Sequence, residues 1–481
     1  MLTTGGALLV HGYHSAAEDG EIYIPGIKKI LNPALYPFGA EFFLNHAHAS
    51  LYSWLIAASV RISHLPFDTT LFAWYLGATF LTFLACWEWS SECFEEIEAR
   101  LGAVTLLAAL LTLPVAGTAL YISDQYLTPR SLALFALLFA TLNAWRGRNW
   151  AFAAWSAFAA LMHPLMALFG ISLGLLLALT RHFESKAASG KRVLATIQAF
   201  SLFPISSHAY QQAIQTRSYF FILRWQWYEW LGIIGPLALL WWFSRIAHDK
   251  GRAVRLLSWS LIAYEVVYIC AAVIVDIPKR LDTFARFQPM RSLHLLYTFA
   301  IILGGSLLGK YILKRHIWRW ALLFVPLCFG MWFAQRQLFS TTSHIEWPGS
   351  APTNDWLRSF EWIRQNTPQQ ATFAIDPNYM LNDDEHGFRA IAERSRLADA
   401  VKDAGAVTMF PQPPFAEDWL EQVTDESGWN HFQTTDLQRL QRKYGVSWVV
   451  LQRPAAARLS CPYQNATIVV CRLDPISSTR N

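Results

Sequence analysis

Apolar runs long enough to cross a bilayer recur from Phe67 to about Phe339, and they constrain the fold more than any other feature. A spanning helix needs roughly 20 largely apolar residues, and helices satisfy backbone groups internally in lipid. The chain is 54% hydrophobic and only 15% charged, whereas soluble domains carry about a quarter charged residues. The sequence therefore predicts a mainly α, polytopic transmembrane helix bundle over residues 1–339, with a first external loop at 13–66.

Ten runs are interpreted as spanning helices. They are Phe67–Trp87, Leu101–Ile122, Ser131–Trp145, Asn149–Met162, Leu165–Thr180, Val193–His208, Glu229–Phe243, Leu256–Val275, Leu293–Gly309 and Trp320–Gln337. Met1–Val10 is too short to span and lacks the basic region and cleavage site of a signal peptide. We interpret it as the outer half of a further span whose start is placed too late, which would give about 10–11 spans.

Basic residues cluster in four connections between these runs, and the predicted spans place all four on one side. The clusters are Arg146 with Arg148; Arg181, Lys186, Lys191 and Arg192; Arg245, Lys250, Arg252 and Arg255; and Lys310, Lys314, Arg315 and Arg319. The positive-inside rule makes this side cytoplasmic. We therefore expect a multi-pass protein of the cytoplasmic (inner) membrane with its C-terminal domain outside. The same parity places the first loop outside, where Ser50–Ile62 is predicted as an interfacial helix.

The tail at 340–481 differs from the bundle in charge and pattern. It has 13 Lys and Arg against 17 Asp and Glu, a net charge of −4, so the rest of this +5 chain carries +9. Helical spacing predicts helices at Thr353–Asn366 and Asp436–Tyr444, with strands at Thr372–Ile375, Ser447–Leu451 and Ala466–Cys471. We expect a small extracytoplasmic α/β domain, in which a disulfide between Cys461 and Cys471 is one of two open possibilities.

An acidic pair, Glu18-Asp19, follows the first apolar stretch. Acidic residues favour helix starts, so a solvated helix cap is one interpretation. The functional interpretation is a general base that takes the proton of an acceptor hydroxyl during sugar transfer. The same carboxylates could also hold a divalent cation.

The second external loop holds Asp124 and Arg130. Asp124 could complete a metal site with Asp19 or orient the acceptor, or it could form an N-cap or Asx turn before Pro129. Arg130 could pair with Asp124 or bind a phosphate.

The loop Asp276–Ser292 is basic although it is predicted to be external. It contains Lys279, Arg280, Arg286 and Arg291. Arginine binds phosphate oxygens in a bidentate manner, so a lipid phosphate is a suitable ligand, with Arg286 and Arg291 nearest the next span. Snorkelling of these side chains to headgroups is the alternative.

Other polar residues leave several chemistries open. His14, His46, His48 and His163 lie on separate segments without metal-ligand spacing, so a metal cluster is not predicted from them. His163 is expected to cap a turn or contact acceptor or phosphate. Glu265 lies inside a span, where an acid is a functional candidate or a partner in a helix–helix hydrogen bond. The chain lacks a P-loop, a Gly-rich dinucleotide motif, a CxxC pair and a GxSxG elbow, and nothing predicts a nucleic-acid partner.

The combination of an acidic pair in the first loop, an interfacial helix, Asp124 and an external α/β tail resembles the GT-C class of polytopic membrane glycosyltransferases. Several local motifs are also similar to those of an uncharacterised bacterial membrane-protein family of this architecture. They are Ala17-Glu18-Asp19-Gly20, Gly26-Ile27-Lys28, Pro33-Ala34-Leu35-Tyr36-Pro37, Asp124–Ser131, Met162-His163-Pro164-Leu165 and Gln288–Ser292. The resemblance covers most of the chain.

The resemblance implies an inverting transfer of a hexosyl or pentosyl group from a polyprenyl-phosphate donor to a glycan, lipid or protein acceptor outside the membrane. It implies Asp19 or Glu18 as the base, Asp124 as its partner, and Arg286 or Arg291 on the donor phosphate. A divalent cation, Mg²⁺ or Mn²⁺, would lie at Asp19 and Asp124. The alternative is a non-catalytic or transport protein, such as a flippase or scaffold of cell-envelope polysaccharide assembly, which would depend on midplane groups such as Glu265.

Overall fold

The chain separates into two compact units. A computed structural model describes residues 1–186, 207–246, 251–277, 279–454 and 459–474. The first unit, the bundle unit, comprises Met1–Gly12, Ala73–Ile205 and Ser218–Leu338. The second, the α/β unit, comprises Tyr13–Phe72, Ser206–Arg217 and Phe339–Asn481. The first predicted loop thus belongs to the same compact unit as the tail.

The bundle unit is built of helices. They are Leu2–His11, most of Phe67–Cys93, Ile97–Ala109, Pro129–Arg146, Asn149–Met162, Pro164–Lys186, Trp227–Ile246, Arg252–Asp276, Leu293–Leu307 and Ile317–Leu338, with a π-helix at Leu308–Leu313 and 3₁₀ turns at Ser218–Phe220, Ile222–Arg224, Lys279–Phe287 and Pro289–Ser292. Among the described residues, five segments are long and apolar enough to cross a membrane: Phe67–Cys93, Pro164–His182, Arg252–Asp276, Leu281–Leu313 and Ile317–Leu338. The prediction of a mainly α chain with several helices long and apolar enough to span a membrane is confirmed.

One predicted span is wrong in its extent. The run Leu101–Ile122 forms a helix only from Ile97 to Ala109. Beyond it the backbone turns back on itself, with Val115 N bonded to Leu120 O and Ile122 N to Leu113 O. Pro114 lacks the amide hydrogen that a continuing helix would need, and the apolar residues that follow are buried in this irregular segment, as Val115 and Leu120 are.

Other predicted features of the bundle fall outside the described part of the chain. The span at Val193–His208 lies almost wholly within residues 187–206, as do Lys191 and Arg192 of the second basic cluster. Lys250 and the side chains of Lys186, Lys279 and Arg280 also lie outside it.

Acidic side chains pair with members of two of the predicted basic clusters at one end of the bundle unit. Arg146 Nη2 lies 2.8 Å from Glu88 and 2.7 Å from Glu92, at the end of helix Phe67–Cys93. Lys310 Nζ lies 2.8 Å from Glu96, and Arg315 Nε lies 2.7 Å from Glu98. Since Glu96 and Glu98 begin the next helix, the clusters at 146–148 and 310–319 share the end that carries the 94–96 connection.

Glycines allow two bundle helices to meet backbone to backbone. A Cβ on Gly102 would lie 2.2 Å from Gly305 O, and a Cβ on Gly305 would lie 2.5 Å from Gly102 O. Small residues permit such close approach, and this packing replaces the hydrophobic driving force that is missing in lipid. Helices Ile97–Ala109 and Leu293–Leu307 therefore depend on these two glycines.

The α/β unit combines the helices of the first loop with a small sheet. Its helices are Gly20–Leu31, Glu41–His48, Tyr52–Ser63, His208–Gln215, Asp355–Asn366, Tyr379–Asn382, Phe388–Ala392, Lys402–Met409, Pro413–Asp425 and Thr434–Tyr444, with a 3₁₀ turn at Trp429–His431. The strands are β1 Thr372–Ile375, β2 Ser395–Arg396, β3 Trp448–Gln452, β4 Ser460–Gln464 and β5 Ile468–Arg472, in the order β2-β1-β3-β5-β4. β1 pairs in parallel with β2 and β3, while β5 runs antiparallel to β3 and β4.

Alternation along the central strands gives the sheet two buried faces. Phe373 and Val450 pack with Phe360 of helix Asp355–Asn366 on one face. Val449 packs with Leu437 of helix Thr434–Tyr444 on the other. Successive strand side chains point to opposite faces, which explains why β1 and β3 are apolar throughout. The predicted helices and strands of the tail are confirmed to within a few residues at their ends.

The hairpin β4–β5 carries the cysteine pair. Cys461 and Cys471 are joined by a disulfide, so the bridged alternative holds. Cys86, Cys93, Cys270 and Cys328 are free thiols, of which Cys86 is buried and Cys270 is exposed. The predicted interfacial segment Ser50–Ile62 is helical over Tyr52–Ser63.

Candidate functional site

Two backbone bridges hold the residues just before the acidic pair against distant parts of the α/β unit. Tyr13 N donates to His344 O at 3.1 Å, and Glu346 N donates to Tyr13 O at 2.8 Å. Further along, Glu18 N donates to Glu385 O at 2.7 Å, and Gly387 N donates to Ala16 O at 2.9 Å. These bonds align residues 13–18 with 344–346 and with 385–387.

The bridges bring two histidines and a glutamate together. Glu346 Oε1 lies 2.9 Å from His14 Nδ1 and 2.9 Å from His386 Nε2. One ligand atom from each of the three residues lies within 4.8 Å of the other two. His14 and His386 are buried, and the Glu346 side chain is 16% exposed. Within the described part of the chain, these three side chains are the group whose ligand atoms are placed closely enough to hold a metal ion.

Surrounding contacts fix the orientation of both rings. His386 Nδ1 lies 2.8 Å from Asp384 Oδ1, which also accepts a hydrogen bond from the His386 amide at 2.9 Å. Asn354 in turn donates to Asp384. The His14 ring stacks on Phe339 with 3.7 Å between centroids. Each histidine therefore presents one nitrogen to Glu346 in a defined direction.

Glu346 and His386 line an open cleft of about 440 Å³ within the α/β unit. Its walls include Tyr13, Ser15 and Lys28 of the first loop. Burial alone would raise the pKa of Glu346, but the adjacent His386 and His14 outweigh it and hold that pKa at about 2. Burial alone would lower the pKa of His386, but Glu346 and Asp384 raise it well above its ordinary value.

The acidic pair lies at the start of helix Gly20–Leu31. Glu18 has a backbone φ of 51°, in the left-handed region that residues other than glycine rarely adopt. Asp19 occupies the N-cap position, yet its carboxylate makes no capping hydrogen bond to this helix. The cap interpretation is thus met in position but not in a side-chain hydrogen bond.

A lysine holds the pair instead. Lys402 Nζ donates to Glu18 Oε2, and it lies 3.4 Å from Asp19 Oδ1. Burial alone would lower the pKa of Lys402, but Glu18 and Asp19 raise it above its ordinary value. Burial and the neighbouring Glu18 carboxylate raise the pKa of Glu385 to about 8. Glu18 is therefore held between the Lys402 ammonium and the Glu385 carboxyl group.

A buried ionic cluster supports the helix that follows. Arg389 donates to both Asp403 oxygens at 3.0 and 2.8 Å, and it lies 3.4 Å from Glu21. All three side chains are at most 1% exposed. Burial raises the pKa of Glu21 to about 7, with Arg389 offsetting part of the effect. Since Glu21 and Arg389 lie on segments far apart in sequence, the cluster joins the first loop to the tail.

Several predicted site residues belong to the bundle unit. Asp124 is buried and accepts from Arg130 Nη2 at 2.9 Å and from the Thr128 hydroxyl at 3.1 Å. Arg130 thus pairs with Asp124, one of its two predicted partners. Asp19 and Asp124 fall in different units. Lys402 lies beside Asp19, and Arg130 pairs with Asp124. The divalent-cation site at Asp19 and Asp124 stays a prediction.

The remaining predicted residues have local partners. Arg286 lies over the Phe287 ring at 5.2 Å, and Arg291 lies over the Tyr219 ring at 5.9 Å. The Nδ1 of His163 accepts from Met166 N at 3.3 Å, which caps the start of the next helix. Glu265 Oε1 accepts from Ser292 at 3.0 Å, as the hydrogen-bond interpretation expected. Phosphate binding by Arg286, Arg291 and Arg130 stays a prediction.

Sequence reasoning missed Glu346, His386, Lys402 and the Glu21–Arg389 pair. Their partners are separated by as many as 384 residues, and none of them has a ligand spacing that a single sequence reveals. Asp384-Glu385-His386-Gly387 is the densest local signal, since it combines two acids, a histidine and a glycine.

Part of the chain matches a known family model. Residues 354–408 match the model of a domain of unknown function, DUF6798. This segment contains His386, Arg389 and Lys402. No curated protein matches the chain.

Proposed function

We propose that the protein is an integral membrane glycosyltransferase that moves a sugar from a polyprenyl-phosphate donor to an extracytoplasmic acceptor. The observation that carries the proposal is the arrangement of Glu18-Asp19. Glu18 lies in the left-handed region, Asp19 makes no side-chain capping hydrogen bond at its N-cap position, and both carboxylates lie beside Lys402. Backbone strain at a charged pair costs free energy and is concentrated at functional sites.

The contacts assign different roles to the two carboxylates. Lys402 and the Glu385 carboxyl group both contact the Glu18 carboxylate, so we assign Glu18 to positioning. Asp19 Oδ1 lies farther from Lys402 Nζ, at 3.4 Å, so we assign Asp19 the role of general base. In the proposed step, the acceptor oxygen attacks the anomeric carbon while its proton passes to Asp19. The bond from that carbon to the phosphate oxygen breaks, the lipid phosphate leaves as the anion, and the configuration inverts.

The leaving phosphate needs cationic partners. In the α/β unit, Lys402 is one candidate. Arg217 is another, because its Nε and Nη2 atoms are buried and meet no hydrogen-bond acceptor in the described part of the chain. Arg286 and Arg291 of the bundle unit remain the proposed donor-phosphate ligands. Arginine suits this task because its planar fork matches phosphate oxygens.

The proposed location is the inner membrane, with about 10–11 spans and the α/β unit outside. Two observations support it. Two predicted basic clusters share one end of the bundle unit, as the positive-inside rule requires. The α/β unit holds the Cys461–Cys471 disulfide, and disulfides persist in oxidising compartments.

The test is a mass-spectrometric profile of envelope glycans and polyprenyl-phosphate sugars in a deletion strain. The strain is complemented with wild type, Asp19→Asn, Glu41→Gln or Glu265→Gln. Glu41 is the matched control, since it is an exposed acid in the first turn of a helix in the same loop. We expect Asp19→Asn, present in the membrane at wild-type level, to leave the lipid donor accumulated while Glu41→Gln restores the glycan. Restoration by Asp19→Asn together with failure of Glu265→Gln would refute the proposal and favour transport.

A further inference from the structure

We propose that His14, Glu346 and His386 form a binding site for a divalent transition-metal ion of the zinc type, with a further coordination position open to the cleft. The inference is independent of glycosyl transfer. Nothing in it requires Asp19 to act as a base or the cleft to hold a sugar.

The geometry of the three ligand atoms is close to that of a metal site. Zinc bonds of about 2.0–2.1 Å place neighbouring ligand atoms about 3.3 Å apart in a tetrahedron. Glu346 Oε1 lies 2.9 Å from a nitrogen of each histidine. An opening of a few tenths of an ångström at each Glu346 contact brings these two separations to the tetrahedral value. The two histidine nitrogens lie within 4.8 Å of each other, so the three side chains converge on one point.

The donor set selects the class of ion. Two imidazoles and one carboxylate suit zinc and its transition-metal neighbours, whereas Mg²⁺ and Ca²⁺ prefer oxygen ligands. Three protein ligands with one position left for water or substrate are typical of catalytic zinc sites. Glu346 and His386 both line the cleft, so the open position faces a space that can hold a ligand.

The surroundings of His386 match those of a metal-bound histidine. Metal-ligating imidazoles almost always donate their second nitrogen to a carboxylate or carbonyl, which fixes the ring and increases its basicity. His386 presents Nε2 to Glu346 and directs Nδ1 at Asp384, 2.8 Å away. Asp384 is itself buried and is held by the His386 amide and by Asn354.

The site also has a clear consequence for the fold. Its ligands come from three segments: the start of the first loop, the strand-like segment at 344–346, and the loop before Phe388–Ala392. A bound ion would join all three, so metal binding should stabilise the α/β unit. Ligands that bind only the folded state raise its stability by mass action.

The experiment uses the full-length chain, purified in detergent through a tag without histidines, and measures bound metals by elemental mass spectrometry. We expect one zinc per chain in the wild type. Glu346→Gln keeps the side-chain shape but replaces the anionic ligand, and it should lose the metal. His431→Ala removes an exposed histidine of the same unit and should keep it.

Asp384→Asn keeps all three metal ligands. It is a second variant that tests the site if Glu346→Gln fails to fold. It should weaken zinc affinity by about 10- to 100-fold, as loss of such outer carboxylates typically does. Replacement of the ion by Co²⁺ should give the visible absorption of a low-symmetry site, and Glu346→Gln should abolish it. Zinc should also raise the unfolding temperature of metal-stripped wild type.

Three results would overturn the inference. In the first, no divalent transition metal binds the stripped wild type at near-equimolar concentration. In the second, zinc is retained equally by wild type, Glu346→Gln and Asp384→Asn. In the third, only Mg²⁺ or Ca²⁺ binds. Because glycan transfer is not the readout, these results do not depend on the proposed function.

Discussion

Arg389 is the buried cation that links the first loop to the tail within the α/β unit, and its replacement by methionine gives the sharpest stability prediction. Arg389→Met keeps most of the side-chain volume but removes both bonds to Asp403 and the contact with Glu21. Breaking a buried ion pair by removing one partner costs about 3–5 kcal/mol, because the remaining charge is uncompensated.

This loss of unfolding free energy corresponds to a fall in the unfolding temperature, Tm. The α/β unit contains roughly 200 residues, and for a domain of that size about 1 kcal/mol lowers Tm by about 2–4 °C. We therefore expect Arg389→Met to lower the Tm of this unit by about 6–20 °C. The assay is thermal unfolding of the full-length protein in detergent, followed by tryptophan fluorescence at pH 7.5.

Arg358→Met is the matched control. Arg358 is 53% exposed and lies 3.4 Å from Asp355, one helical turn away. Exposed pairs of this kind contribute about 0–1 kcal/mol, so the Tm of Arg358→Met should fall by less than about 4 °C. The double variant Arg389→Met with Asp403→Asn should recover part of the loss, since it also removes the stranded charge. An Arg389→Met protein as stable as Arg358→Met would refute the reasoning.

Three further predictions concern stability in the same assay. Gly387→Ala should lower the free energy of unfolding by about 1–3 kcal/mol through overpacking, since the added Cβ would lie 2.5 Å from Glu21 Oε2. An unchanged Tm would contradict this prediction. Glu21 has a pKa raised to about 7 from 4.5, so its stabilising contribution is present below pH 4.5 and is lost as pH rises through 7. Glu21→Gln should therefore gain up to about 3 kcal/mol relative to wild type between pH 5 and 8.5, and a pH-independent difference between the two proteins would oppose this. Gly305→Ala should destabilise the bundle unit, because the added Cβ would lie 2.5 Å from Gly102 O. Gly330→Ala should not, because a Cβ at Gly330 would meet no atom within 4 Å. Equal Tm values for the two variants would count against the glycine contact.

Local patterns in the sequence predict much of the fold. Helix Asn149–Met162 and strand Thr372–Ile375 have the predicted bounds, because a continuous apolar run and a short β-rich run each have few alternatives. The failure at Leu101–Ile122 has a physical cause. Burial of an irregular segment after Pro114 requires the same apolar residues as a span, so composition does not distinguish the two.

The candidate site is predicted only in part, for a different reason. Glu18-Asp19 is conspicuous because two charges follow an apolar stretch. Lys402 and His386 become its neighbours through pairing over more than 360 residues, and such pairing leaves no local signal. Association of the first loop with the tail is therefore visible only in the structure.

The most direct test of the proposed function measures turnover by the purified protein. Lipid extract from the deletion strain supplies the accumulated donor, and proteoliposomes containing wild type, Asp19→Asn or Glu41→Gln are added with isolated envelope acceptor. Mass spectrometry follows the polyprenyl-phosphate sugar and the released lipid phosphate. We predict that wild type and Glu41→Gln consume the donor, and that Asp19→Asn is slower by about 10²–10⁴-fold, the contribution of a general base. Donor consumption by Asp19→Asn at the wild-type rate, or none by the wild type, would contradict the account.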